Sequence, residues 1–304
     1  MEIDWKRAWY FISQLLSILG FVFFGMLLSQ ILALYIGQHV FKFDYAQSVA
    51  IISNPAQDVN QVMFLRLFQM LTNFATFAVP VLIYLRVYKY PIISTLKLGK
   101  LISPVQLLLI LVFAFAALFG LSFLGDLNHA IPLPEKLQIA ADQMAEAQQK
   151  MIDGLMYMPS VSHLIANIIV VGLVAAVGEE LMFRGLLQPL FKNWTKNIHL
   201  GILLSAALFS AIHFDLSNFI PRMAIGVAFG YLFYWSGSLW ITILAHFLNN
   251  SIEVLVYYYQ SSNSWCHYFI EVKYFPVTWG LAAIAVIIGI MYVFKMKHLP
   301  AKTE

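Results

Sequence analysis

Charge is scarce in this chain: of 304 residues, 18 are Lys or Arg and 15 are Asp or Glu, while 61% are hydrophobic. Soluble domains carry about 25% charged residues, so an ordinary water-soluble globular fold is excluded. A single cysteine, Cys266, leaves no partner for an intramolecular disulfide and no CxxC metal or redox pair. There is no basic stripe interleaved with aromatics, which argues against a nucleic-acid partner. Internal repeats, low-complexity tracts and Pro/Ser-rich linkers are also lacking. Their absence points to one integral membrane unit and not to a soluble domain on an anchor.

What the chain has in abundance is long apolar runs. A helix needs about 20 apolar residues to cross the hydrocarbon layer. Candidate spans run from Tyr10 to Gly37, Val62 to Tyr88, Leu101 to Leu124, Val161 to Phe191, Ile198 to His213, Phe219 to Trp235, Ser238 to Tyr259 and Pro276 to Phe294. The expected fold is therefore all-α, a polytopic membrane bundle of about eight transmembrane helices. The fifth and sixth runs are short and flank "HFDLSN", so seven spans with one re-entrant segment is the alternative. The first run is too long for a signal-peptide core and is expected to stay as a span. Between the third and fourth runs, "PLPEKLQIAADQMAEAQQKMIDGLMYM" mixes apolar and charged residues at helical spacing, as an interfacial helix or lid would.

Lysine and arginine set the expected orientation. Lys6 and Arg7 precede the first run, and Arg86, Lys89, Lys97 and Lys100 lie between the second and third. Lys192 and Lys196 follow the fourth, while Lys295, Lys297 and Lys302 end the chain. By the positive-inside rule these segments, and both termini, are expected to be cytoplasmic in the cell membrane. Cys266 then falls in an outside loop.

Against this apolar background a few polar side chains stand out. In "AVGEELMFRG", Glu180 and Arg184 are one turn apart, with the acid N-terminal, and can neutralise each other. Glu179 points about 100° away and has no partner in its own helix. A carboxylate at that depth must take up a proton, find a partner elsewhere or reach water at an interface. In "FSAIH", Phe209 and His213 share one face; in "HFLNN", His246 and Asn250 do. Taken singly, His213 reads as a structural hydrogen-bonder and Asn250 as helix-packing glue. Asn249 points elsewhere and suits that glue, with Glu253 one turn on. At 1.5 Å per residue, Glu179, His213 and His246 lie roughly 18, 22 and 12 Å from the inner ends of their runs. They can therefore meet near mid-membrane.

In this order, "EELMFR", "FSAIH" and "HFLNN" resemble the EExxxR, FxxxH and HxxxN motifs of the CAAX prenyl endopeptidase and bacteriocin-processing (Abi) family of intramembrane proteases. Gly226, Gly230, Ser238, Leu239 and Trp240 fit the same pattern. The resemblance implies a catalytic core over 159–260; N-terminal membrane helices and an amphipathic segment over 1–158, which carry no such signature, precede it. A last helix and basic tail follow over 261–304. It implies that Glu179 and His213 activate water, that His246 and Asn250 bind the oxyanion, and that Glu180, Arg184 and Phe209 support the site. Amide hydrolysis needs such a base and such donors.

Zinc held by Glu179, His213 and His246 is the alternative, as a two-histidine, one-carboxylate site. HExxH is absent, and the expectation is metal-independent. GxSG and paired membrane aspartates with GxGD are absent too. The expected partners are membrane lipid and a hydrophobic or lipidated peptide or membrane-protein substrate. A non-catalytic immunity or scaffold protein of the same family is the competing reading. A proton-coupled transporter would also bury charges, but no pseudo-repeat supports it.

Overall fold

The computed structural model describes residues 5–55, 58–272 and 275–298, and among them every regular element is helical. In chain order, those of eight residues or more are α1 (Trp5–Phe41), α2 (Tyr45–Ser53), α3 (Val59–Val87), α4 (Pro104–His129), α5 (Glu135–Leu155) and α6 (Val161–Thr195). They are followed by α7 (Ile198–Ala211), α8 (Leu216–Ser236), α9 (Leu239–Tyr259), α10 (Ser264–Glu271) and α11 (Val277–Lys297). Lys302 lies outside the described residues.

Seven of these helices, α1, α3, α4, α6, α8, α9 and α11, are long and apolar enough to cross a membrane. The fifth expected run forms α7, a shorter apolar helix that joins the end of α6 to the start of α8. Its 14 residues rise only about 21 Å, against a hydrocarbon layer of about 30 Å. Outward faces are apolar, as lipid contact requires: Phe23, Phe24 and Ile31 on α1, Leu108 and Phe115 on α4, and Leu281 and Ile288 on α11 are exposed.

Local signals explain the helix boundaries. At the start of α4, "SPVQ" forms a capping box in which Ser103 accepts from Gln106 N and the Gln106 side chain accepts from Ser103 N. Pro104 occupies the first turn, where its missing N–H costs nothing. Gly237, at φ +65°, closes α8. The tight "SGSLW" turn then docks on the α3–α4 connection: Ser238 Oγ donates to Lys100 O at 2.6 Å and Trp240 Nε1 to Leu98 O at 2.9 Å. Lys100 Nζ closes the same junction on Ser236 O at 2.6 Å.

Two transmembrane helices widen locally to π-helical geometry just before a proline. These stretches are Phe74–Ala78, ahead of Pro80 in α3, and Leu181–Leu187, ahead of Pro189 in α6. Proline has no N–H and its ring crowds the carbonyl four residues back; a wider turn relieves both. A third such stretch, Ile168–Val174, lies in α6 where Gly172 meets α9. A Cβ there would come within 2.8 Å of Ser251 Oγ. Glu179 and Glu180 therefore sit on a short regular piece, Ala175–Glu180, between two wide ones.

The amphipathic α5 forms as expected and is tied down at its C-terminal end. Arg66, buried in α3, donates to Asn167 Oδ1 at 2.6 Å and to Tyr157 O at 2.9 Å. Asn167 Nδ2 donates to Leu155 O at 2.9 Å, and Tyr257 on α9 donates to Asp153 at 3.0 Å. Cys266 lies buried on α10 and is free of disulfide.

Two apolar clusters flank the interior. One gathers Leu181, Phe183, Leu187 and Phe209 with Val81 and Leu85 of α3. The other gathers Phe113 of α4, Phe229 of α8, Ala245 of α9 and Ile290 of α11. The charged side chains lie between them.

Candidate active site

The site grows from α6. Glu180 and Arg184, one turn apart, form an ion pair with 2.6 Å between Oε1 and the guanidinium, and both are completely sequestered at 0% and 1% exposure. An ion pair without water on any side needs further polar partners to offset desolvation. Arg184 donates to Gly226 O on α8 at 3.0 Å, and its guanidinium packs between the Phe209 and Phe229 rings at 5.0 and 5.3 Å. One turn further, Gln188 donates to Gly230 O at 3.1 Å. Gly226 and Gly230 allow this approach: a Cβ at 226 would lie 3.1 Å from Ala206, and one at 230 would lie 2.7 Å from Ile202.

Glu180 does more than neutralise arginine. Its Oε1 also faces His246 Nδ1 at 3.0 Å, which joins α6 to α9. A carboxylate only accepts, so Nδ1 carries the proton in this contact. His246 is thereby oriented with Nε2 3.8 Å from Glu179 Oε2. The other Glu179 oxygen, Oε1, lies 3.5 Å from Asn73 Nδ2 on α3. Glu179 thus has neighbours on two other helices, and it is 8% exposed.

His213 lies just beyond α7, with its Nδ1 2.7 Å from Phe209 O. A carbonyl accepts only, so Nδ1 donates and the neutral ring keeps its lone pair on Nε2. Phe209 therefore has two structural tasks, since its carbonyl orients His213 while its ring covers Arg184. Glu179 and His246 lie within electrostatic reach of His213. Asn250, half-buried, donates from Nδ2 to Val171 O at 3.0 Å, inside the first wide stretch of α6. Asn249 bonds Glu253 at 3.0 Å, the pairing expected one turn on.

The structure therefore brings together Glu179, Glu180, Arg184, Phe209 and His246, places His213 within their field, and engages Asn250 with backbone. Motif reading did not find Asn73. Its sole signal is an amide flanked by threonines, "LTNFATF", in the middle of an apolar run. As for metal, among the described residues no three His, Cys, Asp or Glu side chains are grouped to hold an ion. Both His246 and His213 give Nδ1 to an acceptor, which leaves Nε2 of each as the nitrogen for a proton or an ion.

Comparison with known proteins finds similarity over part of the chain. Residues 161–252 match the family model described as "Type II CAAX prenyl endopeptidase Rce1-like". The resemblance carried by the three motifs thus holds over α6 to α9. The chain is 32% identical to "Uncharacterized protein YpbD" of Bacillus subtilis (strain 168) over 92 residues, which are 29% of this chain and 44% of that relative. The chain therefore spans less than half of that relative's length. It is 24% identical over 237 residues to "Putative membrane peptidase YdiL" of the same organism, covering 78% of this chain and 87% of the relative. No solved structure matches the chain significantly.

Proposed function

We propose that this protein is an intramembrane endopeptidase that hydrolyses a peptide bond in a hydrophobic or lipidated peptide or membrane-protein segment, using water activated by Glu179 and His213. Membrane peptidase activity in general is supported by the Rce1-like match over 161–252 and by the relative named as a membrane peptidase. The observation that carries the finer reading is the placement of Glu179 Oε2 3.8 Å from His246 Nε2, with His246 fixed from behind by Glu180.

The chemistry follows from these contacts. Glu179, with His213 Nε2 as its partner, takes a proton from water, and the oxygen adds to the scissile carbonyl carbon. With Nδ1 given to Glu180, His246 turns Nε2 toward Glu179, and a proton on Nε2 makes it a donor for the oxyanion. Asn250 has a second Nδ2 hydrogen beyond the one held by Val171, and the Val171 contact presets its carboxamide. As the tetrahedral intermediate collapses, the C–N bond breaks and the leaving nitrogen takes the proton from Glu179. Glu180 and Arg184 position His246 and do not touch substrate. No step requires a metal.

We also place the protein in the cell membrane with both termini cytoplasmic, since Lys6, Arg7, Arg86, Lys89, Lys97, Lys100, Lys192 and Lys196 fall at one end of alternately directed helices. Residues 159–260 act as the catalytic core.

The test uses the full chain in proteoliposomes with two fluorogenic peptides, one ending in a farnesylated CAAX sequence and one identical but unlipidated. Wild type is expected to cleave at least one, and Glu179→Gln neither, while inserting and melting like wild type. Full turnover by Glu179→Gln, or none by wild type, overturns the reading; the latter result favours a scaffold.

A further inference from the structure

The α3 helix lies outside the segment that matches the family, yet it touches the carboxylate at the centre of the site. Asn73 is 5% exposed and presents Nδ2 to Glu179 Oε1 at 3.5 Å. The contact is built into the backbone on both sides. On α6, the residue before Glu179 is Gly178, where a Cβ would come within 2.5 Å of Asn73 Oδ1 and 3.3 Å of Phe77 Cβ. Any other residue at 178 would push the carboxamide away. On α3, the wide turn Phe74–Ala78 begins at the next residue, so the helix changes pitch at the point of contact.

The polar atoms around Asn73 are also unusual. Its Oδ1 is buried without a hydrogen-bond partner, and so are the hydroxyl oxygens of Thr72 and Thr76. Mid-helix threonines ordinarily bond the carbonyl a turn back, and buried polar groups left unpaired are costly. Of the three, Asn73 is the one in contact with Glu179; Thr72 and Thr76 lie about one turn apart on another face of α3.

We propose that Asn73 is a positioning residue for Glu179, holding the carboxylate from the side opposite His246. The carboxylate is then held between two helices, with Oε1 toward α3 and Oε2 toward α9. The amide N–H favours the ionised carboxylate and fixes its rotation, which keeps Oε2 available for water. This inference rests on the peptidase reading of Glu179, and it makes the N-terminal half of the chain part of the catalytic machinery.

The test measures kcat and KM for the farnesylated and unlipidated CAAX peptides in proteoliposomes, with melting temperature in parallel. Asn73→Leu is expected to lower kcat about 10- to 100-fold, the range for loss of a hydrogen bond to a charged group, with KM little changed. Asn73→Asp keeps the shape but replaces the donor with a like charge. It is expected to lose at least as much, whereas a packing role would spare it. In the Glu179→Gln background, Asn73→Leu should have no further effect on any residual rate. Should the Asn73 variants fail to fold, Gly178→Ala displaces the carboxamide without removing it and should reproduce the fall in kcat. If wild type cleaves neither peptide, the peptidase reading itself fails. If wild type cleaves, Glu179→Gln does not, and the folded Asn73 or Gly178 variants keep wild-type kcat, the positioning role alone is wrong.

Discussion

His246 Nδ1 lies 3.0 Å from Glu180 Oε1, and this contact between α9 and α6 makes the second glutamate of the pair a structural anchor. Glu180→Gln should therefore act through both stability and rate. It leaves Arg184 buried without its counter-ion, a loss of about 3 to 5 kcal/mol for a broken buried pair, and it frees His246 to rotate. Glu179→Gln should leave melting nearly unchanged. Thermal unfolding of the two variants in the same detergent checks this contrast; a Glu180→Gln protein that melts like wild type refutes the anchor.

Much of this arrangement was readable from residue spacing. The i,i+4 pairs Glu180/Arg184, Phe209/His213 and Asn249/Glu253 all meet as helical periodicity requires. The all-helical membrane fold followed from the apolar runs. Spacing within one helix could not reveal contacts between helices. Asn73 is 106 residues from Glu179, and nothing local distinguishes it from packing glue. Asn250 shares a stripe with His246 in sequence, yet it finds a carbonyl exposed by a wide turn of α6. Local wideness comes from Pro80, Pro189 and interhelical approach, which a regular 3.6-residue period does not represent. The short α7 was visible as a short run.

Pro189 yields a separate prediction. The wide stretch Leu181–Leu187 carries Arg184 and ends immediately before the turn that contains Pro189. Pro189→Ala restores an N–H that can bond Gly185 O, allowing the stretch to tighten. Tightening rotates Glu180 and Arg184 relative to one another and to His246. Stability should hold or rise, since a proline inside a helix costs about 3 kcal/mol, while kcat/KM should fall more than about 10-fold because the positions of catalytic groups tolerate little displacement. Full activity at unchanged melting temperature would show that another feature sets the wide turn.

Metal removal tests the water-activation step. If Glu179 and His213 act on water directly, protein dialysed exhaustively against chelator should keep its turnover with metal content well below one equivalent by elemental analysis. The elemental measurement is needed because tightly held zinc survives brief chelation. Loss of activity that one equivalent of zinc restores would instead require the side chains of Glu179, His213 and His246 to regroup around an ion.

The two asparagines of α9 separate oxyanion binding from helix packing. Asn250 has one Nδ2 hydrogen on Val171 O, and Asn249 is committed to Glu253. If the remaining Asn250 donor meets the oxyanion, Asn250→Ala should lower kcat and kcat/KM together by about 10²- to 10³-fold, as removal of an oxyanion-hole donor does. Loss of the Val171 contact should add a smaller penalty, about 0.6 to 2 kcal/mol by the measured range for membrane hydrogen bonds. Asn249→Ala should show only a stability loss of that size, with a normal rate per folded molecule. The residues lie about 100° apart on the helix, so kinetics and unfolding of the two variants also test the register of α9 against α6. Equal rate losses from both would mean that neither carboxamide is aimed at the reacting carbonyl, leaving His246 Nε2 as the donor from α9.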